Sequence, residues 1–541
     1  MKTYSVLLLI CCVAAGALPA SQPVPAIATT NIYEAVGYPT PESKIDKLIG
    51  KQLSKLGVKP VLCSDSVFVR RAYLDVIGTI PTASETRAFI GDQDKNKRVA
   101  LVNRLLERLE YADYWAMKWS DILRVKAEFP VNLWPNAAQA YHHWIKVSLR
   151  DNKPYDQFVR EMLTSNGSNF RVGPVNFYRA VQNKTPEGIA AAVALTFMGT
   201  RADSWKNKDY LPGMSVFFSQ ISYKPTREWK EEIVYWDPDK AFNDAITSCV
   251  PKVAIFPDGK KLRKLPADKD PREVFTDWLI DEDNPWFTTI IVNRIWAWTM
   301  GRGIIHETDD IRPDNPPSNP KLLDYLQEEF ADSHYDMKHL LRLILTSRAY
   351  QFSSIIPTSD APEKVEAQFG FYPLRRLDAE VLIDAINKVT GTTDLYTSAI
   401  PEPFTFIPDN KPAIALPDGS ITSAFLELFG RPARATGQDN ERINKPMATQ
   451  KMHLLNSGHI QGKLISSPNI KQILKTHGVK NKDMTKEILE EFYLTILSRY
   501  PTPDELKNVQ AYIKTVVVKG NDAWTDVVWA LINNEEFLYR H

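Results

Sequence analysis

Apolar positions recur with a helical period along most of this chain. Ile45, Leu48, Ile49, Leu53 and Leu56 form one stripe, which predicts a helix beginning near Glu42. Asp65 is placed to cap a second helix running through Val69 to Ile77. Arg98 to Leu109, Tyr111 to Val125, Trp134 to Leu149 and Tyr155 to Leu163 follow with the same period, the last after Pro154. Thr185 to Met198 is rich in small residues and suits a closely packed helix. Between residues 219 and 269 the period changes. Ile221-Ser222-Tyr223 and Ile233-Val234-Tyr235-Trp236 read as strands, and Val253 to Phe256 runs into the hairpin turn Pro257-Asp258-Gly259-Lys260. Helical spacing returns near Asp270-Pro271 and continues through Lys321 to Ala331, Met337 to Thr346 and Arg375 to Val389. Residues 392–447 are rich in Pro and Gly with weak periodicity, an irregular region suited to lining a surface. Helices resume from Ala448.

The pattern predicts a mainly α protein with two helical lobes, residues 41–218 and 270–541, joined by a small β insert. One segment occurs twice. Ala72-Tyr73-Leu74 through Pro81-Thr82-Ala83-Ser84-Glu85 matches Phe492-Tyr493-Leu494 through Pro501-Thr502-Pro503-Asp504-Glu505. In each copy a helix ends before Pro-Thr, and Thr with Glu three residues on can form a capping box. Two copies are too few for a solenoid.

The first twenty residues read as an export signal. Lys2 precedes a short apolar run, Val6 to Ala17, and small residues allow cleavage after Ala20 or as late as Ala28. The run is short for a membrane span, and no later segment is long and apolar enough for one. Residues 21–40 read as a flexible leader. Cys11 and Cys12 follow Leu9 and Ile10 rather than small residues, which argues against a lipid anchor. Of the four cysteines, Cys63 and Cys249 remain after cleavage, either bonded or as two buried thiols. The 541 residues carry a formal net charge of +1, and removing Lys2 leaves 65 basic against 65 acidic side chains. That balance disfavours broad capture of nucleic acid or anionic membrane.

Candidate chemistry concentrates in the second lobe. The apolar run around Trp286 to Met300 holds Asn293 and Arg294, and polar groups buried there need partners. The following loop gathers Asp309, Asp310 and Asp314, oxygen donors of the kind calcium takes, though without an EF-hand glycine. Read as structure, Asp309 and Asp310 pair with Arg294, Arg302 or Arg312. Arg375-Arg376-Leu377-Asp378-Ala379-Glu380 is predicted to open a helix with Arg376 and Glu380 on one face. As a site it offers an anion clamp beside a carboxylate acid or base; as structure it is an intrahelical salt bridge. Thirteen tryptophans are many. Trp115, Trp119, Trp296 and Trp298 have the spacing of core residues, with Trp296 also a ligand-binding candidate beside Arg294. Trp134, Trp205 and Trp229 lie near loops and are better placed for exposure. None of the nine histidines forms HExxH, and neither a GxxxxGK[ST] loop nor a GxSxG elbow is present.

These residues resemble a known pair of domains. Phe68-Val69-Arg70-Arg71-Ala72-Tyr73-Leu74-Asp75, Tyr114-Trp115, Trp119-Ser120-Asp121 and Asn152-Lys153-Pro154-Tyr155-Asp156 look like the planctomycete cytochrome-associated domain, of unknown function. Asn284-Pro285, Asn293-Arg294-Ile295-Trp296, Gly301-Arg302-Gly303, Asp309-Asp310, Leu345 to Tyr350 and Arg375 to Glu380 resemble its planctomycete-specific companion, also of unknown function. The resemblance implies an exported protein, in the periplasm or at the cell surface, that keeps company with sulfatase-like proteins. Many relatives carry CxxCH after the position of Phe197-Met198-Gly199. Here Thr200 to Trp205 has neither Cys nor His, which argues against haem. No cofactor is predicted, with calcium the ion the acidic loop would suit.

Three functions follow in order. The first is a non-catalytic envelope protein that binds a glycan or partner protein. The second is a hydrolase of polysaccharide or sulfated glycan, with Asp309, Asp310, Asp378 or Glu380 as acid and base and Arg294, Arg375 or Arg376 holding an anionic group. The third is an electron-transfer relative that has lost its haem site.

Overall fold

The computed structural model describes residues 31–35, 43–240, 253–266, 268–477, 484–515 and 521–541. The export signal and Cys249 lie outside the described residues. The protein is mainly α, with small β additions. The first stripe forms the helix Lys44–Lys55, which buries Ile45, Ile49 and Leu53. The second helix, Asp65–Val76, is capped by Ser64 rather than Asp65. Asp65 sits in the first turn and pairs instead with Lys97 at 2.7 Å and Arg98 at 2.8 Å. Cys63 is a buried free thiol.

The two helical halves share one apolar core. Trp119, on the helix Leu109–Ile122, meets Trp298, on the helix Phe287–Met300, with ring centroids 5.9 Å apart. Trp115 reaches the same ring at 5.8 Å, and Tyr155 stacks on Phe287 at 4.9 Å. Aromatic pairs in such geometry contribute roughly 0.5–1.5 kcal/mol beyond the area they bury. Of the three loop tryptophans, Trp229 is exposed and Trp134 and Trp205 are half-buried.

The repeated segment forms two helix–turn–helix units. In the first, Thr82 and Glu85 complete a capping box. In the second, the Thr502 N–H donates to Glu505 at 2.7 Å and the Glu505 N–H to Thr502 Oγ1 at 3.2 Å. The units touch: Arg87 pairs with Glu491 at 2.8 Å, and Arg70 donates to the Ile496 carbonyl at 2.7 Å. Equivalent positions Gly78 and Ser498 both take left-handed φ, 62° and 58°. Only the first is also closed to a side chain, because a Cβ there would lie 2.4 Å from the Tyr114 ring. Gly78→Ala is therefore expected to destabilise the protein by about 2–4 kcal/mol, combining left-handed strain with overpacking. Urea unfolding measures this, and a change below about 0.5 kcal/mol would show that the turn can relax.

The β insert is a three-stranded antiparallel sheet in the order β1 (Gly167–Ser168), β3 (Glu232–Trp236), β2 (Ile221–Pro225). The first half thus supplies an edge strand too short to show a period. A hairpin of β4 (Ala254–Ile255) and β5 (Lys261–Leu262) follows, around the expected turn. Further on, β6 (Arg375–Arg376) pairs with β7 (Tyr539–Arg540), so the helix expected from Arg375 starts only at Ala379. Residues 392–447 do not simply line a surface. Leu416, Leu426, Phe429 and Arg434 are buried, and the Gly419 N–H donates to the Val125 carbonyl at 2.9 Å. The irregular segment is a packed bridge between the halves.

Candidate functional site: a buried net of arginines and carboxylates

Helix Leu109–Ile122 places Lys118 and Asp121 three residues apart, where both leave its apolar surface on neighbouring lines. Asp378 and Glu380 open the helix Ala379–Thr390 from the other half, and both are fully buried. The irregular segment contributes Arg431, Arg434, Arg442 and Asn444. Arg442 joins the two carboxylate sets. It donates to Asp121 Oδ2 through Nη2 at 2.7 Å and Nε at 3.1 Å, and to Glu380 Oε2 through Nη1 at 2.7 Å. Arg434 Nε adds a bond to Asp121 at 2.9 Å, and Arg431 Nε one to Glu380 at 3.2 Å. Asp378 accepts from Lys118 at 2.9 Å, Arg540 at 2.9 Å and Asn444 at 2.7 Å.

Two extensions complete the net. Asp75 accepts from Tyr350 at 2.9 Å and Tyr372 at 2.7 Å, with Arg540 Nε 3.3 Å and Arg375 Nη2 3.6 Å away. Arg375 also caps the Phe287–Met300 helix, donating to the Trp298 and Thr299 carbonyls at 2.9 and 2.8 Å. On the other side Arg294 holds Asp309 at 2.6 Å and donates to the Leu195 and Thr196 carbonyls. Those carbonyls belong to the π-helical turn Ala194–Met198, which ends at left-handed Gly199. Asp309 accepts in turn from the Asp439 N–H at 2.8 Å, and Asp439 from Trp298 Nε1 at 2.7 Å.

Burial and neighbours set the charges. Burial alone would raise Glu380, but Arg442 and then Arg431 outweigh it and hold the carboxyl at about 2. Asp378 is likewise held well below the usual range: burial opposes this, and Lys118, Arg540 and Arg442 prevail. Burial and then the adjacent Arg434 bring Arg431 down to about 10, against Glu380. Burial, with Asp309 next to it, raises Asp439.

The residues singled out in the sequence fall into distinct places. Asp309, Asp378, Glu380, Arg294 and Arg375 belong to the net. Arg376 does not pair with Glu380: it stands on β6 and donates to the carbonyls of Phe429, Ile443 and Asn444 at 2.6, 3.0 and 3.3 Å. Asp310 lies nearer the surface and pairs with Arg312 at 2.9 Å; exposed Asp314 is 3.7 Å from the same guanidinium. The three acidic groups of that loop thus face arginines rather than one another. Among the described residues no group of three His, Cys, Asp or Glu side chains is arranged to hold a metal ion. Trp296 is buried with its ring 5.0 Å from Phe369. Asn293 pins the loop after Gly301, exchanging bonds of 2.9 Å with both backbone groups of Ile305. Residues 200–205 close on themselves through Trp205 Nε1 and Thr200 Oγ1 at 3.1 Å, and offer haem neither thiol nor imidazole.

Residues 44–221 match the family PSCyt2, a protein of unknown function (DUF1549), and residues 271–513 match PSD1, a protein of unknown function (DUF1553). The chain carries a PSCyt2 region followed by a PSD1 region. No curated protein and no solved structure matches it. The net takes its meaning from these limits. Lys118, Asp121 and Asp75 come from the PSCyt2 part, and Asp378, Glu380, Arg431, Arg434 and Arg442 from the PSD1 part, so its ion pairs clamp one family region to the other. No helix among the described residues is long and apolar enough to cross a membrane.

A second polar cluster lies at the far end of the Ala379–Thr390 helix. His459 Nε2 is 2.8 Å from Asp394 Oδ1, Lys463 Nζ is 3.4 Å from the same oxygen, and the His453 ring lies 5.9 Å from that of His459. Nearby Asp384 accepts from the Ala413 and Ile414 N–H groups, and burial, Glu380 and Asp394 push it up to about 7.

Proposed function

We propose that this PSCyt2–PSD1 protein is exported to the periplasm or cell surface and works there as a non-catalytic binding protein whose ligand is a glycan. One contrast carries the reading. The buried carboxylates Asp309, Asp378 and Glu380 are paired with arginines away from solvent, while large aromatic rings stand exposed on two neighbouring loops. Phe129 is 80% exposed, and its loop is closed by the Trp134 N–H donating to the Ala127 carbonyl at 3.1 Å. The Trp134 ring lies 5.3 Å from Phe404, and Phe406 is 67% exposed two residues further on. Glu128 ties the two loops, accepting from the Ala399 N–H at 3.1 Å and Ser398 Oγ at 3.3 Å. A fixed, solvated aromatic edge of this kind supports stacking on the apolar face of sugar rings.

The test is affinity electrophoresis of the natively exported protein through gels holding single polysaccharides. Retardation by at least one of them is expected, and Trp134→Ala with Phe406→Ala should weaken it roughly tenfold, about 1.4 kcal/mol. Migration unaltered by every polysaccharide would overturn the reading. Export itself predicts a mature N-terminus at Ser21 or Thr29 on sequencing; an intact Met1 in the envelope fraction would contradict it.

A further inference from the structure

Next to Phe129 lies a recess of about 450 Å³ whose lining includes Pro130, Arg179, Lys184, Lys230 and Glu232. That volume falls within the roughly 300–1,000 Å³ of small-ligand sites. Its charge is unbalanced: three cations face one carboxylate. Glu232 is committed to Arg179, with Oε2 2.5 Å from Nη1. The Arg179 side chain is about nine-tenths buried, and its Nε has no hydrogen-bond partner. Neither Lys184 nor Lys230 stands within salt-bridge distance of a carboxylate among the described residues. Each lies instead against an aromatic face, Lys184 Nζ 5.2 Å from the Tyr223 ring and Lys230 Nζ 5.2 Å from the Trp229 ring.

The wall that carries Lys230 is held in place. Lys230 takes a left-handed φ of 66°. Buried Asn169 fixes that turn, donating to the Lys230 carbonyl at 3.3 Å and accepting from the Glu232 N–H at 2.9 Å. Glu231, beside it, accepts from Ser168 Oγ at 2.5 Å and Thr226 Oγ1 at 2.6 Å. Cations held ready in a recess lose little freedom on binding an anion. Phe129 and Trp229, the chain neighbours of Pro130 and Lys230 in the lining, are 80% and 69% exposed.

Resting on the glycan reading above, we propose that this recess binds the anionic substituents of an acidic polysaccharide, uronate carboxylates or sulfate esters, while the flanking rings stack on its sugars. Charge complementarity gives the sign, and the rings favour a sugar polymer. A nucleic acid would call for a longer basic track than a protein of near-zero net charge provides.

The experiment is affinity electrophoresis in polygalacturonate, dextran sulfate, neutral dextran and poly(dT), comparing wild type with Lys184→Glu/Lys230→Glu, whose fold is checked by circular dichroism and melting temperature. Both replacements are on exposed side chains and should leave the fold intact. The expected result is retardation by one or both acidic polysaccharides, weakened by added salt and at least tenfold weaker in the double variant. The polygalacturonate and dextran sulfate arms tell carboxylate from sulfate. Equal retardation of wild type and variant would overturn the proposal, as would poly(dT) binding as strong as the best polysaccharide. Retardation confined to neutral dextran would overturn the anionic assignment and leave the glycan reading standing. No retardation in any gel would remove both.

Discussion

Arg442→Ala is expected to lower the stability of the protein by about 3–5 kcal/mol, the cost of removing one partner from a buried ion pair. Its guanidinium contacts Asp121 and Glu380 at 2.7 Å each. With it gone, two carboxylates remain out of water, held only by single Nε bonds from Arg434 and Arg431 at 2.9 and 3.2 Å. Urea unfolding followed by tryptophan fluorescence reads the loss directly, since Trp115, Trp119 and Trp298 meet where the halves join. Asp310→Asn supplies the contrast. Its pair with Arg312 lies near the surface, where such bridges contribute about 0–1 kcal/mol. If both replacements cost under 1 kcal/mol, the net is not holding the molecule together.

Acid should unfold the protein through the same groups. Glu380 is held at about 2 against an ordinary 4.5, a depressed value in the folded state. Its contribution is therefore fully present above the unfolded value and is lost as pH falls from 4.5 towards about 2. For a fully buried group this amounts to about 3 kcal/mol. Asp378 is shifted in the same direction and adds to the slope. Asp384 acts in the opposite sense: raised to about 7, it favours folding at low pH and loses that contribution as pH rises towards 7. Comparing wild type with Glu380→Gln removes most of the Asp384 effect, because burial, its largest cause, is common to both proteins. The stability difference between them should shrink by about 3 kcal/mol between pH 6 and pH 2. A difference that stays constant with pH would show that Glu380 is not ionised inside the fold.

The mainly α architecture and most helix positions were legible because helical spacing is local. So were the twin capping boxes, where Thr and Glu stand three residues apart and bond as that spacing predicts. The pairing of Arg294 with Asp309 was also within reach, since few residues separate a charge inside an apolar helix from the next acidic loop. Arg376 misled for a physical reason. A spacing of four implies a shared face only inside a helix, and β6 pairs with β7 before the helix starts, with Arg376 opposite Tyr539, 163 residues on. The partners of Asp121, Asp378 and Glu380 were hidden for the same kind of reason. Arg431, Arg434 and Arg442 sit in a segment without period, and neither composition nor spacing indicates that such a stretch is packed inside. A signal was nonetheless present: Lys118 and Asp121 break an aromatic helix, as Asp75 breaks an aliphatic one, and each break marked a charge awaiting a distant partner. Of the aromatic side chains on these loops only Trp134 stood out in the sequence, and its contact with Phe404 forms only once Glu128 ties the two loops together.

A double-mutant cycle between Asp121 and Arg442 tests the clamp most directly, because the two residues belong to the two different family regions. Asp121→Asn, Arg442→Gln and the double variant would be compared with wild type by urea unfolding. The structure predicts a coupling free energy of about 1–3 kcal/mol, with the double variant losing less than the single losses combined. Additivity within about 0.3–0.5 kcal/mol would mean that the two residues do not sense each other and that something else holds the PSCyt2 and PSD1 regions together.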